Sequence, residues 1–287
     1  MGHTLYSHSG QGAAWAVFPD VVRYRGLLFD LVWKDLRVRY RNAMMGLLWA
    51  VLQPLLLTLI LTFVFTYVIP LYARPAGVPG RHAVSGAAII LCGLIPWQFF
   101  SASLSTVTTS LLANRDLIKK VYFPRELIPL ASVLNCIVNF IIGFLVLLIV
   151  HKALGGPLGW GLLWTPVIFA VQFTLVLGLG LTLSCAEVYY RDTNYIVEIG
   201  LVLMFYLTPI LYPLSRVASF LVSGSFYYKL YLANPLAGIV AAYRMAVLEN
   251  QAPEPGLLVW PAIAAAMFLA AGIVFFRRNA PVLADYV

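Results

Sequence analysis

The chain has 287 residues, of which 62% are apolar or aromatic and only 10% charged, against about 25% charged in ordinary soluble domains. Too few polar residues remain to clothe a water-soluble domain of this length, and so apolar a chain is not disordered either. A net charge of +8 in such a background points to Lys and Arg gathered in cytoplasmic loops of a polytopic membrane protein, not to nucleic-acid binding.

In chain order, residues 1–19 are polar and Gly-rich. The start MGHTLYSHSGQG does not read as a signal peptide, since no apolar run follows a basic region. It also fails the myristoylation pattern, because Tyr6 stands where Ser or Thr is required. Residues 26–42 place Phe29, Val32, Trp33, Leu36 and Tyr40 on one helical stripe. Asp30, Lys34, Arg37 and Arg41 fall on the other side, and Asp30–Lys34 and Asp35–Arg39 are i,i+4 pairs with the acid first. This pattern predicts an amphipathic helix over 26–43 lying in the membrane interface, behind a tail over 1–25.

Six spans of about 20 apolar residues follow. The first covers about Met44–Ile69, with Pro54 inside and Thr58, Thr62 and Thr66 on one face, suited either to helix packing or to a pore. The second, about Gly86–Leu112, is interrupted by Pro96 and then turns rich in Ser and Thr. The third is about Leu127–Val150, the fourth about Trp160–Ser184, the fifth about Ile196–Pro213 and the last about Leu257–Phe276. Between the last two, residues 214–248 hold apolar stretches too short to cross, one opened by Asn234 as N-cap and Pro235 at the first helical position. Two re-entrant helices are expected there. The expected fold is therefore all-α, with six spans over 44–278 and a tail over 279–287.

Charge sorts this topology. With both ends inside, thirteen of the nineteen Lys and Arg residues are cytoplasmic. Outside lie Arg74, Arg81, Lys152, Arg216, Lys229 and Arg244, as the positive-inside rule requires.

The chemistry is sparse. There is no G-x-x-x-x-G-K-[ST] phosphate loop and no H-E-x-x-H, C-x-x-C or G-x-S-x-G motif. The three cysteines have no metal-ligand spacing, and no metal site is expected. The middles of the spans carry no ionisable residue, which argues against a proton- or sodium-driven carrier. Glu187, Arg191 and Asp192 form a polar turn at a predicted cytoplasmic end. The loop over 114–126 interleaves Arg115, Lys119, Lys120, Arg125 and Glu126 with Val121, Tyr122 and Phe123. It reads equally as a plain positive-inside loop or as a docking surface for a soluble partner.

Six segments carry a resemblance: KDLRVRYRNAMMGLLWAVLQPLL at 34–56, GLIPWQFFSASLS at 93–105, NRDLIKKVYFPRELIPL at 114–130, YYRDTNYI at 189–196, FYLTPILYPLS at 205–215 and NPLAGIVAAYR at 234–244. In this order they resemble the permease subunits of type-2 ABC polysaccharide exporters, which carry O-antigen, teichoic acid or capsular polysaccharide. The resemblance covers about residues 27–278. It implies a bacterial inner-membrane homodimer, both termini cytoplasmic, paired with two copies of a separate ABC ATPase that binds ATP and Mg. No cofactor is expected on this chain. It implies that 114–126 is the segment coupled to the ATPase, through Arg115, Lys119, Lys120, Tyr122, Phe123, Arg125 and Glu126. Arg37, Arg39 and Arg41 are candidates to attract the pyrophosphate of a lipid-linked glycan by charge-assisted hydrogen bonds. Sugar rings stack on aromatics, so Trp97, Phe99, Phe100, Tyr206, Tyr212, Tyr227 and Tyr228 are channel candidates. The alternatives are an ABC exporter of small hydrophobic drugs or lipids and, more remotely, a membrane-embedded glycosyl- or acyltransferase using Glu187 or Asp192.

Overall fold

The computed structural model describes residues 22–41, 48–65, 86–121, 123–214, 217, 226–280 and 283. Every regular element among them is helical, with no strand. The helices are α1 (Arg25–Arg41), α2 (Leu48–Phe63), α3 (Gly86–Thr108), α4 (Ser110–Ala113), α5 (Arg115–Lys120), α6 (Leu127–Ala153), α7 (Thr165–Tyr189), α8 (Thr193–Leu207), α9 (Phe226–Leu232), α10 (Pro235–Val247) and α11 (Pro255–Asn279). A 3₁₀ turn, Trp160–Trp164, leads into α7. Four of these elements are long and apolar enough to cross a membrane: α3, α6, α7 with its 3₁₀ lead-in, and α11. The described parts of α2 and α8 are apolar but shorter.

The most buried span is α3, which packs against α2, α6, α7, α8 and α10. Its sequence suggests an interruption at Pro96, yet the helix runs through that proline unbroken. The Pro96 carbonyl accepts a hydrogen bond from Gln172 Nε2 of α7 at 2.7 Å, which ties the helix to a neighbouring span at the proline. The hydroxyl-rich end is satisfied locally: Thr108 Oγ1 donates to the Leu104 carbonyl and Ser110 Oγ to that of Val107, both at 2.7 Å. Thr58 is buried, so its face of α2 is turned inward.

The tightest packing joins α7 to α11. A Cβ at Gly272 would fall on the Gly178 carbonyl oxygen, and one at Gly178 on the backbone of Phe268 and Leu269. Such close backbone approach is the membrane substitute for hydrophobic driving force, because lipid tails are as apolar as the side chains they replace.

The bundle has two chemically distinct ends. At one, Leu31 of α1, Leu111, Ile118, Phe123, Leu127, Cys185, Val188, Phe276 and Leu283 close a separate apolar cluster. At the other, the Gly161 amide donates to Asn250 Oδ1 at 2.9 Å and His151 Nε2 meets the Pro157 carbonyl at 3.1 Å. The described residues just after α8, with α10, lie at this second end. Asn234 Nδ2 donates to Thr208 Oγ1 at 3.0 Å, while Gly238 lies against Leu257 and Pro261 at the start of α11. As the sequence predicts, Asn234 caps α10, its Oδ1 accepting from the Leu236 amide at 3.0 Å.

Candidate functional site

The first cluster gathers the basic groups singled out in the sequence. In α5, Asp116 sits in the first turn and Lys119 and Lys120 in the last, the arrangement the helix dipole favours. Arg115, Asp116, Lys119, Lys120 and Val121 are exposed. Ile118 and Phe123 turn the other way into the apolar cluster, Phe123 retaining only 6% of its surface. Phe123 thus anchors the segment to the bundle, and its outward face is made of charge except for Val121. Tyr122 lies outside the described residues. Arg125 and Glu126 also face the protein. Arg125 Nη1 donates to the Ala280 carbonyl, and a Glu126 carboxylate oxygen lies 3.4 Å from Arg277 Nε. The 114–126 segment is therefore tied to the end of α11.

Beside it, α1 packs along α6. Leu31 is buried with Tyr24, Leu27, Leu28 and Val32 against the same cluster, whereas Phe29 and Trp33 stack on each other, both exposed. The aromatic stripe is thus split: Val32 faces the bundle, and Phe29 and Trp33 face outward. Leu31, which that stripe omits, carries the packing. Arg37 lies over the Trp33 ring, 5.9 Å from its centroid. Lys34 turns away from Asp30. It pairs with Asp35 at 3.6 Å and donates to Asn114 Oδ1 at 2.9 Å, joining α1 to the start of α5. The side chains of Arg39 and Arg41 lie outside the described residues, as do residues 1–21.

Glu187 is buried, and its Oε2 accepts from the Asn194 amide at 2.8 Å. It closes the turn into α8 and stabilises that helix's N-terminus. Arg191 and Asp192 are exposed on the same turn. The channel candidates separate by location. Trp97, Phe99 and Phe100 are core residues: Trp97 meets Phe100 at 5.8 Å and Phe205 at 5.6 Å between centroids, and Phe99 meets Phe140 and Phe169 at 5.4 and 5.2 Å. Tyr206 and Tyr227 are exposed. Tyr212 donates to the Tyr206 carbonyl at 3.0 Å. The Tyr228 side chain lies outside the described residues.

One residue at the far end had drawn no functional reading from sequence. Arg244 of α10 is buried, and its guanidinium donates to the carbonyls of Tyr212 and Ile210, each at 2.7 Å, and of Ile89 at 3.3 Å. It binds α10, the turn after α8 and the start of α3 into one unit. An arginine inside a short apolar helix is the signal that marks it.

This bundle, with a basic, α1-flanked end and a buried short helix opposite, matches the family model described as ABC-2 type transporter over residues 27–248. The chain belongs to the ABC-2 type transporter membrane family. This ABC-2 permease is 30% identical over 262 residues to the O-antigen export system permease protein RfbA of Myxococcus xanthus, covering 91% of this chain and 95% of that one. It is 33% identical over 228 residues to the RfbA of Klebsiella pneumoniae (76% and 80%), and 24% identical over 252 residues to the polysialic acid transport protein KpsM of Escherichia coli (86% and 90%). As an ABC-2 permease it is a transport protein, not an enzyme, and ATP hydrolysis in this family belongs to a separate subunit.

Proposed function

We propose that the chain is the transmembrane subunit of an ATP-driven exporter that moves a lipid-linked polysaccharide, of the O-antigen type, across the bacterial inner membrane. The observation that carries this reading is the end-to-end match to an O-antigen export permease, over 91% of this chain and 95% of the relative. The basic end is then cytoplasmic, with α1 in the membrane interface. In this reading α2, α3, α6, α7, α8 and α11 are the six crossings, both termini are cytoplasmic, and α9 and α10 re-enter from the outer side. Exposed aromatics support the assignment at both boundaries, with Phe29 and Trp33 at one and Trp160 and Trp164 at the other.

Two such chains pair with each other and with two ATPase subunits that carry ATP and Mg. An uncovered apolar stripe on α8, Ile196, Ile199, Leu203 and Tyr206, suits either lipid or the second copy. Closure of the ATPase dimer pushes on the charged face of α5. Phe123, buried beneath it, and the Arg125 and Glu126 contacts to α11 transmit that push into the bundle. Arg37, with Arg39 and Arg41, attracts the glycan's pyrophosphate at the interface.

The test is deletion of the gene in its native cell. Loss of surface polysaccharide with accumulation of lipid-linked glycan inside is expected; unchanged surface polysaccharide would sink the proposal. Topology is checked separately: a Cys at Lys152 should react with an impermeant thiol reagent from outside, and one at Lys119 only after the membrane is opened. The reverse pattern would overturn the orientation.

A further inference from the structure

Midway along the bundle, α2, α3 and α6 line an open-sided cavity of about 270 Å³, with Gln53 and Ala102 exposed at its mouth, many times the roughly 30 Å³ share of one water. Gln98 and Ser105 share one face of α3 at i and i+7. Asn139 comes from α6, Gln53 from α2, and the rings of Phe99 and Phe140 complete the lining. No Lys, Arg, Asp, Glu or His takes part.

The depth is what makes this lining unusual. Gln98 lies twelve residues beyond Gly86 at the start of α3, about 18 Å along the helix. The side chains of Gln98 and Ser105, both part-buried, have no hydrogen-bond partner among the described residues. Open amides facing hydrocarbon are costly. They are tolerable only where something polar enters. A polar lead-in exists on the cytoplasmic side of Asn139. One helical turn away on α6, Asn135 Nδ2 donates to Asp35 Oδ2 of α1 at 3.2 Å.

We propose that this cavity is a subsite for an uncharged, hydroxyl-rich sugar unit of the exported chain. It rests on the export reading above and adds the chemistry of recognition. Primary amides both donate and accept, so they pair with the alternating roles of vicinal sugar hydroxyls. Phe99 and Phe140 offer an apolar wall to the C–H face of the ring. The absence of charge excludes the pyrophosphate headgroup and an acidic sugar from the site. Most of the aromatic candidates on α3 are packing residues; the amides beside them are the contacts that read the glycan.

The experiment uses native cells carrying the permease, its ATPase and their own glycan. Gln98→Leu and Asn139→Leu should each slow the appearance of surface polysaccharide about two- to tenfold, the range for losing one neutral hydrogen bond. Membrane level and ATPase co-purification should be unchanged in Gln98→Leu, which removes an unpaired amide, so a structural role predicts no loss of export from it. Ala102→Trp, which fills the cavity, should block export. A Cys at Ala102 should react with a small neutral maleimide faster in a strain unable to make the glycan than in one that makes it. Normal export by the Gln98→Leu, Asn139→Leu double variant, equal labelling in both strains, or spontaneous Ala102→Cys disulfide dimers would each overturn the subsite. Surface polysaccharide that persists in the gene deletion refutes the export reading itself and is read separately.

Discussion

Replacing Arg244 with Met should unlock the outer end of the bundle. The guanidinium donates two hydrogen bonds of 2.7 Å, to the Tyr212 and Ile210 carbonyls, and a longer one of 3.3 Å to Ile89. Hydrogen bonds to a charged group contribute about 1.5–3 kcal/mol each. Methionine keeps much of the stem's packing but leaves three carbonyls without this donor. The two short bonds alone put the loss at about 3–6 kcal/mol. Arg244→Lys, a single ammonium in place of a planar fork, should retain part of the network and lose roughly half as much. The assay is unfolding of the purified permease in mixed micelles with increasing SDS, followed by tryptophan fluorescence. Gly93→Ala supplies a control on mechanism, because its Cβ would stand 2.7 Å from the Ile210 carbonyl and 3.1 Å from Arg244 Nη2. It strains the same lock, so the Gly93→Ala, Arg244→Met double variant should lose less than the sum of the two. An Arg244→Met permease as stable as the parent, or strict additivity with Gly93→Ala, would refute the lock.

Charge reversal of Lys119 and Lys120 to Glu should leave the permease folded but weaken its association with the ATPase about tenfold or more, most strongly at low salt; equal pull-down at every ionic strength would remove α5 from that interface. Phe123→Ala should act in the opposite way, costing about 3–5 kcal/mol of stability as a buried ring is lost, seen as a fall in SDS resistance; unchanged resistance would show that the ring is not an anchor. Gly272→Val should separate α7 from α11, because its Cβ meets the Gly178 carbonyl, at about 1–3 kcal/mol or more; a permease of parental SDS resistance would argue against that crossing.

The all-helical fold was legible because each apolar run is long, and because Asn234-Pro235 states a helix start in two residues. Pro96 misled for a definite reason. Its local rule is to break a helix, whereas inside a bundle the neighbouring spans decide, here through Gln172, which lies 76 residues away in sequence and holds the Pro96 carbonyl. Lys34 misled in the same way: the i,i+4 rule offers Asp30, but Asn114 at the start of α5 is a tertiary partner that no helical wheel contains. Periodicity also lists which residues share a stripe without saying which part of the stripe is covered. That is why Phe29 and Trp33 turned outward while Leu31 took the core.

The same limit separates the two halves of the candidate site. Lys119 and Lys120 stood out from composition and are exposed, and at a surface charge alone is the signal. In the sequence Phe123 resembled a docking residue for being apolar among charges; only the packing of α5 onto the ends of α6 and α11 shows which way it points. For the conduit, aromatics were the natural candidates, since sugar stacks on rings, yet rings are also what fills a helix interface. Trp97 and Phe100 went to that use. Unpaired amides discriminate better. A ring gains by burial against any apolar neighbour, whereas an amide at mid-membrane is tolerated only beside a polar partner. Gln98 finds none among the described residues of its own chain, and a sugar hydroxyl in the proposed subsite would supply one.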